Sequence, residues 1–102
     1  MIVRRHSHWY LASMLGDDSN WVRNVRAADG HAVLLHWRRR RVRLIEVDPA
    51  DRAPILRRYL LFAWGARPHM DVHWRASLSE FEAVAERYPV FRVAAAAPNP
   101  PA

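Results

Sequence analysis

The sequence predicts an α+β fold with an antiparallel sheet and flanking helices, on three observations. Apolar runs and turn residues read in the order strand, helix, two strands, helix, helix, strand. The one obvious strand-to-strand step is a hairpin, which favours antiparallel pairing over a doubly wound sheet. The 102 residues are 51% apolar and 25% charged, which suits one globular domain. That domain is expected over residues 1–93, with a disordered Pro/Ala tail over 94–102.

Met1–His8 is polar and basic, a frayed end or the start of an edge strand. Trp9–Met14 reads as a strand, with Tyr10, Ala12 and Met14 on one face and Trp9, Leu11 and Ser13 on the other. Gly16 ends it, and Asp17, Asp18 or Ser19 caps a first helix from about Ser19 to Ala28. Trp21, Val22 and Val25 form its apolar stripe, and Gly30 stops it. His31–Trp37 and Arg41–Val47 read as a hairpin. The shifted alternation at Ile45 and Val47 predicts a bulge, and the connection Arg38-Arg39-Arg40 has no turn glycine. Asp48-Pro49 opens a second helix, buried through Ile55, Leu56, Tyr59, Leu60 and Ala63 and stopped at Gly65. Pro54 near its first turn is expected to tilt its start. Ala66–Arg75 reads as a loop. Ser77-Leu78-Ser79-Glu80 is a capping box for a third helix with Leu78, Phe81, Val84 and Tyr88 inward. Pro89 ends that helix, and Val90–Val93 is a short last strand.

The net charge is +6, and all sixteen basic residues are Arg. Guanidinium offers planar, two-pronged donors suited to phosphate and carboxylate. Such a surface fits an anionic cofactor, nucleic acid or an anionic membrane face. The absence of Cys excludes disulfides, thiolate metal sites and thiol chemistry, and fits a cytoplasmic protein. No apolar run approaches the roughly 20 residues of a membrane span. The short WYLASML stretch is opened by His8 and followed at once by Asp17-Asp18, which fits a strand better than a signal peptide.

The stretch Tyr10–Gly30 looks most like a site, because a strand running into a helix start gathers free backbone N–H groups. There Ser13 can donate to a ligand oxygen, the Gly16 turn can bring backbone close, and Trp21 can cover a ring. On pattern alone an ordinary capped amphipathic helix with Trp21 in the core is the better reading, since capped helices are common. Tyr59, Phe62, Trp64, Arg67 and His69 read either as a pocket wall or as core aromatics beside a loop Arg. The Arg38–Arg41 run lacks a surrounding nucleic-acid motif and interleaved aromatics, so it reads as a solvated hairpin tip and no nucleic-acid partner is expected. His6-x-His8 and His69-x3-His73 lack a Cys or HExxH frame and read as surface histidines, so no metal is expected. Asp48, Asp51 and Glu46 suit a helix start.

The segments YLASMLGDDSNWVRNVRAADGHAVL, VRLIEVDPADRAPILRRYL and SLSEFEAVAERYPVFRV together resemble the deazaflavin-dependent nitroreductase family, in order and over roughly Trp9 to Val93. The resemblance implies a split β-barrel similar to flavin-nucleotide-binding oxidoreductases. It implies 8-hydroxy-5-deazaflavin as cofactor, with FMN as the alternative, and hydride transfer to a nitro, quinone or similar small-molecule acceptor. Carried over, Ala12, Ser13, Met14 and Gly16 lie in the turn beside the cofactor, with Ser13 facing the hydride-transfer pocket as the catalytic group. Trp21 and Asn24 match the W-x-x-N helix motif near the ring, and Tyr59, Phe62 and His69 fall near the acceptor wall. Met14 stands where a Lys is often found. The family's first strands and its basic G-R-x-S-G phosphate grip find no match here, which implies an N-terminally shortened barrel. Arg4, Arg5 or Arg23 are candidates for part of that grip, and self-pairing into a homodimer is expected to cover the exposed strand edges. A cofactor-free interaction module is the alternative reading.

Overall fold

The computed structural model describes residues 2–14, 16–35 and 39–95. Five strands, β1 (Ile2–Arg5), β2 (His8–Ala12), β3 (His31–Leu35), β4 (Arg39–Glu46) and β5 (Val90–Ala95), form one antiparallel sheet in the order β1-β2-β5-β4-β3. The helices are α1 (Asn20–Ala27), α2 (Pro49–Phe62) and α3 (Leu78–Val84), with short 3-10 turns at Gly16–Asp18, Trp64–His69 and Ala85–Arg87. The sheet is open: β1 and β3 stand at its two ends and it does not close into a barrel. The fold class is thus α+β, as the element order predicts.

Strand alternation divides the apolar residues between two cores on opposite faces. Tyr10, Ala12 and Val90 point to one side, where Ile55, Leu56, Tyr59 and Leu60 of α2 and Phe81 of α3 pack on them. Leu11 and Phe91 point to the other, where Val22 and Val25 of α1 cover them together with Val42 and Leu44. Leu56, Leu60, Phe81 and Phe91 are essentially fully buried, a contribution of about 2 kcal/mol each. The cores are offset along the sheet, so each face is only partly covered. Ile2 and Trp9 stay exposed on the α1 side, while Val33 and Ile45 are exposed on β3 and β4.

Several expectations change. β5 runs to Ala95 and lies at the sheet centre, so Ala94 and Ala95 are strand residues paired with Arg43 and Val42; the rest of the expected tail, residues 96–102, lies outside the described residues. No bulge forms near Ile45, because β4 pairs with β5 in unbroken register from Val42 to Glu46; Ile45 is simply on the exposed side. The strand expected over Trp9–Met14 is β2, and it ends at Ala12, two residues early, since the Ser13 N–H turns to the Pro89 carbonyl at 2.9 Å. Gly65 does not stop α2; the chain continues into the 3-10 turn at Trp64–His69. Leu78 is exposed at the helix start, leaving Phe81 as the buried anchor of α3. The capping box is present in both directions, Ser77 Oγ accepting from Glu80 N and Glu80 Oε2 accepting from Ser77 N. Arg38 of the hairpin connection lies outside the described residues; Arg40 and Arg41 are exposed.

Gly30 marks the tightest approach. It sits at φ +83°, its N–H reaches the Val25 carbonyl at 2.8 Å, and its own carbonyl accepts from Leu44 N at 2.7 Å. A Cβ there would collide with the Leu44 carbonyl oxygen, so only glycine lets α1 end directly against β4.

Candidate functional site

The bend after β2 is built from short-range bonds. Ser13 is 2% exposed, and its hydroxyl donates to the Gly16 carbonyl at 2.9 Å and lies 3.2 Å from Ser19 Oγ. Gly16 takes φ +79°, where a Cβ would press on the Arg87 carbonyl. Ser19 is the N-cap of α1, but its hydroxyl faces Ser13 and makes no cap bond. Ala12 belongs to the α2-side core and Met14 packs against it. Trp21 meets Phe91 edge-to-face, 5.6 Å between centroids, on the α1-side core. Asn24 is exposed on α1.

The six residues expected to hold a cofactor thus come from one continuous strand–turn–helix unit, but they do not share an open face. A flat ring against the bend needs free surface at residues 12–16. Here Ala12 and Ser13 are buried, and the Ser13 hydroxyl is committed within the turn. Within a single chain these residues do not fit a deazaflavin ring or FMN. The expected acceptor wall also separates. Tyr59 is buried, Phe62 is 64% exposed under the Arg58 guanidinium, and His69 is exposed on the turn after α2.

Beside the bend lies a charged network that the sequence reading missed. Arg26 of α1 contacts Asp17 at 2.9 Å and Glu46 at 2.7 Å. Glu46 also meets Arg52 at 3.0 Å, and Arg52, although buried, further donates to the carbonyls of Val47 and Ala85. The bond from Arg26 holds the Glu46 carboxyl below the usual carboxylate range, and Glu46 with Asp17 raises the Arg26 guanidinium. Arg52 was hidden because its place on α2, between Asp51 and Ala53, gives no sign of inward orientation. Burial raises the Tyr59 phenol, whose oxygen has no hydrogen-bond partner among the described residues.

Among the described residues, three concavities lie away from the bend. One of about 290 Å³ lies under the end of α1 and includes Asp29 and Glu46 among its walls. A second of about 490 Å³ borders Asp51, Glu82 and Arg92. The third, about 630 Å³, lies between α2, the end of β1 and segment 74–78, and has no acidic residue in its lining. Its walls carry Arg5, Arg57, Arg58, Arg75 and Trp74. Among the described residues, no group of His, Cys, Asp or Glu is placed to hold a metal ion, and no helix is long and apolar enough to cross a membrane.

Compared with known proteins, the chain matches no family model, no curated protein and no solved structure.

Proposed function

We propose that this protein is a deazaflavin-dependent oxidoreductase of split-barrel type, passing hydride to a nitro, quinone or similar activated acceptor, with a ring site completed by a second copy at an open sheet edge. One observation carries the reading. The co-linear segments Tyr10–Leu34, Val42–Leu60 and Ser77–Val93 fold as strand, turn, helix, hairpin, helix, helix and strand on an open antiparallel sheet. The resemblance implies strand, turn, helix, hairpin, helix and final strand, the same order with α3 added before the last strand. Because a ring does not fit the bend of one chain, the second copy is part of the proposal. The outer strands β1 and β3 offer unpaired backbone for it. In this reading Ser13 is a positioning residue: its hydroxyl fixes the shape of the turn and does not touch the acceptor. The cofactor supplies hydride chemistry; the protein orients the reactants and excludes water.

The closed bend favours a second reading, a cofactor-free module that pairs with itself through the same edges. Titration with 8-hydroxy-5-deazaflavin, followed by fluorescence and repeated with FMN, separates the two when combined with mass measurement in solution. Saturable binding by a dimer is the expected result. A folded dimer that binds neither ring leaves the interaction module, and a folded monomer that binds neither overturns both.

A further inference from the structure

We propose that the groove between α2, the end of β1 and segment 74–78 binds a small soluble ligand carrying several phosphate groups. The inference uses no deazaflavin and stands apart from the oxidoreductase reading. Four guanidiniums line the groove, from Arg5, Arg57, Arg58 and Arg75, and no carboxylate does. Elsewhere Arg26, Arg43, Arg52 and Arg87 each meet an Asp or Glu. Among the described residues, none of the four groove arginines has such an ion pair. Four like charges in one concavity repel one another, so a multivalent anion gains from all four at once.

Two of the four are held in place without being neutralised. Arg75 lies over the Trp74 ring at 4.6 Å from its centroid. Arg58 donates through Nε to the Arg4 carbonyl and lies over the Phe62 ring at 5.2 Å. Stacking and a single bond to a carbonyl leave further N–H donors of each fork available. Arg67, in the 3-10 turn after α2, lies over Trp74 at 4.1 Å and is tied to the carbonyls of Leu60 and Leu61, so it braces the indole against the end of α2. Such ordering lowers the entropy lost when an anion is gripped.

The size and shape narrow the ligand. About 630 Å³ falls within the range of small-molecule sites. The groove is shallow, and its four arginines come from three sides, β1, α2 and segment 74–78, rather than along one line, which suits a compact polyanion better than a nucleic-acid backbone. Leu61 and Leu78 line it too, giving an organic portion of the ligand apolar contact. Phosphate is favoured over a lone carboxylate because each group carries more charge and more acceptor oxygens, so several guanidiniums can share it.

The test is calorimetric titration of the full chain with inorganic tripolyphosphate at low and moderate salt. One saturable site is expected, weakened at least about tenfold in the double variant R57Q/R75Q, as loss of charge-assisted bonds implies. The control R41Q/R43Q removes the same charge from β4 and is expected to bind like the parent. Equal loss in both double variants, or no saturable site in the parent, overturns the proposal. Binding to phosphatidylglycerol vesicles without binding to tripolyphosphate also overturns it, in favour of a membrane surface. Arginine modification of the unmutated protein by phenylglyoxal gives a readout independent of variant folding. Tripolyphosphate is expected to shield Arg57 and Arg75 and to leave Arg41 reactive; uniform labelling with and without it counts against the site.

Discussion

The bend after β2 and the groove beside α2 are opposite solutions to the same problem of placing polar groups. At the bend the side chains of Ser13, Asp17 and Glu46 are answered from within: Ser13 by Gly16 and Ser19, Asp17 and Glu46 by Arg26, Glu46 again by Arg52. In the groove Arg58 and Arg75 lie over aromatic rings and Arg58 also meets a carbonyl, while among the described residues none of the four arginines meets an opposing charge. A region whose bonds are all internal resists rearrangement and gains little from a ligand. A region with ordered but unneutralised donors gains much. The motif that looks most like a site in the sequence is therefore the better-closed of the two.

The contrast predicts a graded series of responses. The largest belongs to Arg52, where Arg52→Ala takes the guanidinium donor from the Val47 and Ala85 carbonyls, the latter keeping the Tyr88 N–H, and removes one of the two arginine partners of Glu46. A loss of about 2–3 kcal/mol in urea unfolding is expected, from lost charge-assisted bonds and the lost packing of a buried side chain. A loss within experimental error would mean that the network is not a stabilising unit.

Ser13→Ala comes next. Removing a buried hydroxyl that staples the turn is expected to cost about 1–2 kcal/mol, read as a lowered melting temperature. The same variant should leave tripolyphosphate binding unchanged. Intact stability with altered deazaflavin binding would reverse the comparison and make the bend a ligand site.

A pH titration sharpens the contrast further. Because Glu46 titrates lower in the folded chain than its ordinary value of 4.5, its contribution is fully present above that value. It fades as pH falls through the lower folded-state value. Chemical denaturation between neutral and strongly acidic pH should show this loss, and Glu46→Gln should flatten it. Equal acid slopes in both proteins would remove Glu46 from the account.

The smallest effect lies on α2, between the two regions. Tyr59→Phe deletes a buried oxygen that has no partner while keeping the ring in the core. Stability is expected to stay equal or rise by up to about 1 kcal/mol, because an unanswered buried hydroxyl is unfavourable. A clear drop in melting temperature would show that the phenol has a partner, such as an ordered water.

How much of this was legible depends on the range of the interaction. Local signals were readable: the Ser77–Glu80 capping box, Pro49 opening α2 and Gly30 closing α1 all act within a few residues. So was the alternation that sends Tyr10 and Leu11 to different cores. Long-range placement was not. Val90–Val93 reads as a short terminal strand, and nothing local shows that it lies between β2 and β4. Ser13 looks available in the sequence because its partners, Gly16 and Ser19, also read as plain turn and cap residues. The groove was invisible for the same reason: Arg5, Arg57 and Arg75 are far apart in the chain and converge only through packing of α2 on β1 and α3.

The central position of β5 also governs how the molecule comes into being. The ribosome delivers β1 with β2, then β3 with β4, as two separate hairpins, each able to pair early because its partners are close in sequence. Neither can join the other until Val90–Ala95 emerges and zips between them, bridging Trp9 to Val93 on one side and Val42 to Ala95 on the other. The inner edges of β2 and β4 therefore stay unpaired until Val90–Ala95 has been made, and cooperative assembly of the sheet waits on that segment.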